Sequence, residues 1–140
     1  MKACIVDASV VAAAFFREPH ADAARALLAT DRELHAPDLI YAEVANVIWK
    51  RQRRGEIDET EAIELLDDLL SLPLRIASSE ELLAPALQLA MQTDRTVYDC
   101  LYLALAVTNK AVMVSADKRL VNALAGSPIG KYVAWIGEYR

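Results

Sequence analysis

Cysteine and histidine are scarce, with two of each in 140 residues. Cys4 and Cys100 lie far apart and form no CxxC pair, which excludes a disulfide framework and a zinc ribbon and suits a reducing compartment. With only His20 and His35, HExxH sites and multi-histidine metal centres are excluded as well. The four glycines, Gly55, Gly126, Gly130 and Gly137, cannot spell GxGxxG. Gly126-Ser-Pro-Ile-Gly-Lys falls one residue short of a P-loop and carries a proline inside it, so nucleotide binding of either kind is not expected. Nothing approaches the roughly 20 apolar residues of a spanning helix, and Asp7 interrupts the apolar run from Lys2 to Phe16 that would otherwise resemble a signal peptide. A soluble, cytoplasmic protein with no membrane association is expected.

Apolar residues make up 55% of the chain and charged residues 25%, and 25 alanines and 19 leucines outweigh the 6% of aromatics. That composition is helix-rich and well buried, and the length fits a single domain over residues 1–140 that needs no disulfide or structural metal. A net charge of −5 argues against general nucleic-acid coating, while leaving room for a local basic patch.

Short β-branched runs alternate with helical periodicity. Strands are predicted at Lys2–Val6, Glu33–Ala36, Leu74–Ala77, Val112–Ser115 and Tyr132–Ile136. Helices are predicted at Ala8–Phe16, Ala21–Ala29, from Pro37 in a first turn to Arg54, at Asp58–Leu70, Ser79–Gln92 with Pro85 as an irregularity, Thr96–Thr108 and Asp117–Ala125. Strands without polar alternation imply a parallel sheet covered on both faces, hence an α/β fold of three α/β/α layers. In such sheets the functional crevice lies at the carboxyl ends of the strands.

Four acids stand out against that frame. Asp7 directly follows the first strand and Asp117 lies just beyond the Val112 strand, so both reach one sheet edge. Glu43 borders the apolar arc of Ile40, Val44, Val47 and Ile48 on its helix, and Asp99 is the only charge from Thr96 through Val107, which predicts burial and a partner. Each has a plainer explanation: Asp7 and Asp117 as helix caps, Thr96 with Asp99 as a capping pattern, Glu43 as a boundary residue. Capping and chemistry are compatible. Two carboxylates about 4 Å apart repel by roughly 4 kcal/mol at an effective dielectric near 20, so a cluster must protonate or hold cations. Oxygen donors without His or Cys select Mg²⁺ or Mn²⁺, ions suited to phosphodiester hydrolysis.

Asp7-Ala-Ser, Glu43-Val-Ala-Asn, Thr96-Val-Tyr-Asp-Cys-Leu-Tyr-Leu-Ala-Leu-Ala and Ser115-Ala-Asp-Lys-Arg-Leu, in this order, resemble a VapC-type PIN-domain toxin over nearly the whole chain. The resemblance implies a metal-dependent endoribonuclease of a toxin–antitoxin module, paired with a VapB-type antitoxin. It implies Asp7, Glu43, Asp99 and Asp117 as acidic metal ligands, Ser9 and Ser115 as supporting hydroxyls, and Asn46 nearby. A homodimer and a groove near the active site for the antitoxin's C-terminal segment are further implications. Ala8 and Ser115 stand where the family often has Ser or Thr, and Thr, respectively.

Lys118 and Arg119 follow Asp117 and are candidate contacts to RNA phosphates. Lys50-Arg-Gln-Arg-Arg54 could touch RNA too, or simply favour a helix C-terminus. Trp49, Tyr98, Tyr102 and Trp135 could stack bases, although aromatics in apolar helical surroundings are more often core. Two other readings stand beside the nuclease: a non-catalytic PIN-like module that binds RNA or protein, and an aspartyl-phosphate phosphatase or receiver using Asp7. The second is weakened by Ser9, where such phosphatases usually place another acid.

Overall fold

The computed structural model describes residues 2–139. In chain order the elements are β1 (Ala3–Val6), α1 (Ala8–Phe15), α2 (Ala21–Leu28), β2 (Glu33–Pro37), α3 (Leu39–Arg53), α4 (Glu59–Ser71), β3 (Leu74–Ala77), α5 (Ser79–Thr93), α6 (Val97–Thr108), β4 (Val112–Ser115), α7 (Lys118–Ala125) and β5 (Val133–Trp135), with a 3-10 turn at Pro128–Tyr132 before β5. The strands form one sheet in the order β3-β2-β1-β4-β5, every pairing parallel. This is the expected α/β architecture. Cys4, Ile5 and Val6 are consecutive and fully buried, which in a strand means that both sheet faces are covered.

The topology positions the site. The first strand lies in the middle, Ile5 paired with Met113 and His35, so the carboxyl ends of β1 and β4 are neighbours. The amide of Asp7 extends the ladder by bonding the Val114 carbonyl at 3.2 Å. Helix α6 supplies the largest contribution to the core, with Cys100 through Ala106 all buried, and it packs against β1, β2 and β4 while α5 packs on α6. A helix apolar on every side from Cys100 to Ala106 packs between the sheet and another helix. No helix among the described residues is long and apolar enough to cross a membrane.

Two local expectations, at Pro37 and at the last strand, are corrected, and the helix expected to run through Pro85 does so. Pro37 does not begin a helix: it closes β2 opposite Ala77, and the helix starts at Leu39, because the Asp38 amide is taken by the Ala77 carbonyl at 2.9 Å. Pro85 lies inside α5 without ending it. Its missing donor leaves only the carbonyl of Glu81, an exposed residue, without an intrahelical partner, so water can satisfy it. The final strand is shorter than Tyr132–Ile136 because Pro128–Tyr132 is wound into the 3-10 turn.

That turn depends on Gly130, where an added Cβ would meet the Leu124 and Ala125 carbonyl oxygens at 2.6 and 2.9 Å. Gly130→Ala is therefore expected to lower stability by about 1–3 kcal/mol through backbone displacement at the end of α7. Urea unfolding checks this, and an unchanged midpoint would contradict the close approach.

Candidate active site

Asp7 occupies the step from β1 into α1. Its extended backbone and its carboxylate, which accepts the Ser9 amide at 2.9 Å, make it the N-cap of α1. The other carboxylate oxygen accepts the Ser115 hydroxyl at 2.7 Å. Ser115, at the end of β4, is fully buried, and its oxygen also receives the Asp117 amide at 3.0 Å. Because Ser115 gives its single hydrogen to Asp7, the Ser9 hydroxyl, 3.2 Å away, donates to Ser115 and accepts the Ala116 amide at 2.9 Å. A hydroxyl chain thus runs from Ser9 through Ser115 to Asp7 and ties α1 to β4.

Asp117 caps α7, accepting the amides of Arg119 and Leu120 at 3.1 and 3.3 Å. Glu43, on α3, is held by the Tyr102 hydroxyl of α6 at 2.6 Å, and that hydroxyl also takes the Ala8 amide. Thr96 caps α6 through the Asp99 amide, while the Asp99 side chain turns to Arg95 at 3.3 Å. The expectation that Asp99 is buried is corrected: about a third of its side chain is exposed (32%), because it sits in the first turn of α6 at the mouth of a hollow.

One hollow, about 330 Å³, is lined by Asp7, Ala8, Ser9, Ala12, Glu43, Asn46, Val47, Asp99 and Asp117. All four acids predicted from the sequence share it, and no lysine, arginine or histidine lines it. Ser115 stands behind Asp7 and orients it from below. Burial pushes the Asp7 carboxyl above its ordinary range; the Ser9 and Ser115 bonds oppose that, and the Asp99 and Asp117 charges add to it. Burial likewise raises Glu43, opposed by Tyr102 and reinforced by Asp7 and Asp99. The Tyr102 hydroxyl is driven up by burial and then by Glu43, and so remains a donor.

Lys118 and Arg119 are exposed outside the hollow, and the Lys118 ammonium lies 3.5 Å from the centroid of the Trp135 ring. Within Lys50–Arg54, Arg51 is structural, bonded to Glu18 at 2.6 Å and stacked on Phe16. Trp49 and Tyr98 are exposed rather than core. Tyr102 is the site residue that sequence reasoning passed over as an ordinary aromatic. Its place three residues after Asp99 on one helix face was the available signal.

The donors fit a hard divalent ion: oxygen only, anionic, and without a cation among the lining residues. As arranged, no three acids among the described residues stand close enough to hold one ion. Mg²⁺ binds through few carboxylates and keeps several waters, so the chemistry of the set is compatible with it.

The PIN domain family model matches residues 4–125. The chain belongs to the PIN-domain family. Within it, the chain is similar to Ribonuclease VapC3 of Pyrobaculum aerophilum, at 37% identity over 118 residues, which cover 83% of this chain and 90% of that one. This places it among the VapC-type members. The fold is shared with PAE2754 of the same organism (TM-score 0.68, 24% identity, 97% of this chain and 85% of that one). It is shared also with VapBC2 of Rickettsia felis, solved bound to a DNA fragment from the promoter (TM-score 0.64, 15% identity, 95% and 98%). A third is VapC20 of Mycobacterium tuberculosis, described as a sarcin-ricin loop cleaving toxin (TM-score 0.62, 17% identity, 81% and 87%).

Two outcomes follow for this PIN domain. Tyr102→Phe removes the hydroxyl that favours ionised Glu43 and is expected to cost about 1–2 kcal/mol in urea unfolding near neutral pH. An unchanged midpoint would show that the bond contributes nothing. Raised carboxyls favour the protonated folded state, so their contribution is complete below the unfolded value of about 4 and is lost as pH climbs through the raised value. In chelator, parent stability should therefore fall relative to Asp7→Asn as pH rises from about 4 to 7; parallel curves would contradict the assigned direction.

Proposed function

We propose that this VapC-type PIN domain, acting as a single unit over residues 1–140, is a Mg²⁺- or Mn²⁺-dependent endoribonuclease and the toxin of a VapBC-type module. The observation that carries this is the convergence of Asp7, Glu43, Asp99 and Asp117, from four separate segments of the chain, on one hollow free of lining cations. Those four side chains would hold the ion, few of them directly and the rest through its waters. When bound, such an ion eases deprotonation of an attacking water and offsets charge on the leaving oxygen.

The chain's own contribution is orientation. Ser9 and Ser115 fix both oxygens of Asp7, the Ser9 amide on one and the Ser115 hydroxyl on the other. Tyr102 sets the Glu43 carboxylate against α6. Asp117 is aimed by its capping bonds, and Arg95 restrains Asp99. Asn46 adds a neutral amide to the lining, a donor suited to a phosphate oxygen in a site otherwise hostile to anions. Lys118 and Arg119, just outside, supply the electrostatic attraction that the net charge of −5 does not.

A VapB-type antitoxin is the proposed partner, supported by structural neighbours solved as toxin–antitoxin assemblies. An apolar groove between α3 and α4, lined by Ala45, Ile48, Trp49, Ala62, Ile63 and Leu66, suits a segment of such a partner and adjoins Asn46 of the acid hollow. A homodimer follows from the same kinship, and the exposed Leu83, Leu87 and Met91 on α5 are available to it. A cytoplasmic location suits two buried free thiols and an RNA substrate.

Purified protein incubated with total RNA should generate new 5′ ends with Mg²⁺ and none with chelator. Asp7→Asn and Asp99→Asn should each abolish cleavage while melting at the parent temperature or above, since each removes a repelled charge. If both variants cleave like the parent, the acids are caps and nothing more. Loss of both cleavage and fold would instead mark a structural role.

A further inference from the structure

The acid hollow repels the polymer it is proposed to cut, so cations must lie close outside it for a strand to approach. Leaving the hollow from Asp117, the first is Lys118, whose ammonium rests 3.5 Å from the Trp135 ring centroid. Trp135 is paired in register with Ser115, so it stands at the same carboxyl edge as the acids. On Trp135 the His20 ring closes edge-on at 4.7 Å. His20 in turn shares a surface hollow with Arg17 and Arg25. Lys118, Trp135, His20 and Arg17 are thus contiguous, on residues from three separate parts of the chain.

The Trp135 ring is not free to stack a base. Besides Lys118 and His20, it lies so close to Gly137 that a Cβ there would come within 2.6 Å of ring atoms. Its effect is to hold the Lys118 ammonium in place, by attraction to a π-face, and to seat the His20 ring edge-on. Arg17 and His20 are held by the backbone. Both are exposed and adopt left-handed conformations, with φ of 52° and 73°, which non-glycine residues avoid. The loop between them is pinned by the Glu18–Arg51 pair at 2.6 Å and by the bond from the Ala21 amide to the Glu18 carbonyl at 2.9 Å. Among acids nearby, Glu18 is compensated by Arg51, and Asp22 lines the same hollow as the cations Arg17 and Arg25.

We propose that Lys118, His20 and Arg17, organised on Trp135, form a track that takes the backbone phosphates of single-stranded RNA as the strand leaves the acid hollow. This rests on the ribonuclease reading and extends it from the cleaved bond to the flanking nucleotides. Arg17 and His20 are positioning residues for substrate. They act without base contacts, so the track adds affinity rather than sequence preference.

The test is single-turnover cleavage of an end-labelled single-stranded RNA in Mg²⁺, with protein concentration varied at several salt concentrations. Arg17→Asn combined with His20→Asn keeps the left-handed backbone within reach, since asparagine tolerates it best among non-glycine residues. The double variant is expected to raise the half-saturating concentration about fivefold at low salt and to flatten the log–log salt dependence by about 0.7 or more, the share of at least one cation on a single strand. The loss should fall on half-saturation rather than on the plateau rate. Lys110→Asn is the control: an exposed cation, also left-handed at φ 51°, but ahead of β4 at the opposite sheet edge, expected to change neither quantity. A double variant indistinguishable from an active parent overturns the track alone, as does an equal effect from Lys110→Asn. A parent that cleaves no RNA overturns the ribonuclease reading beneath it.

Discussion

Like charges held together are the constraint around which this structure is organised. Asp7 is partly buried, its carboxyl destabilised by lost hydration and by neighbouring acids, yet the fold meets it with a buried hydroxyl and a backbone amide rather than with a cation. A basic partner would have cancelled the field that makes the hollow useful. Neutral donors fix the geometry and leave the charge available. The same choice recurs at Glu43, where a tyrosine serves in place of a lysine. Asp99 departs from it, and about a third of its side chain meets solvent, where an arginine costs the field less than it would at the buried Asp7 carboxyl.

Several contacts serve stability and site at once. Asp7 and Asp117 are true helix caps, so the plainer explanation for each is correct as far as it goes. A cap fixes a carboxylate at the start of a helix, beside the sheet edge, by committing one of its oxygens to amides. In Asp117, Oδ1 accepts both amides, which leaves Oδ2 uncommitted among its hydrogen bonds to the described residues.

Much of this could be read from the chain because it depends on local pattern. The unbroken apolar stretch around Cys100–Ala106 forces a buried helix, and acids immediately after strands must lie at a carboxyl edge. What could not be read depends on geometry between distant segments. The exposure of Asp99 follows from where α6 begins over the hollow, not from its composition. The role of Tyr102 requires knowing that α3 lies across from α6. Proline suits a first helical turn, which predicts a helix from Pro37; pairing with β3 overrides that preference, since a fifth residue of β2 finds Ala77 opposite it. An aromatic in apolar surroundings suggests core for Trp135, whereas the two side chains that meet its ring, His20 and Lys118, come from stretches nearly a hundred residues apart.

The parallel pairing of β1 with β4 carries a consequence for biosynthesis. Asp7 leaves the ribosome well before its partner Ser115 and the fourth acid, Asp117, which are polymerised only after more than a hundred further residues. Contacts so distant in the chain close late. A nascent chain therefore carries its first acid without the strand that orients it, and the message being translated stays beside an unassembled blade until translation of this region is nearly done.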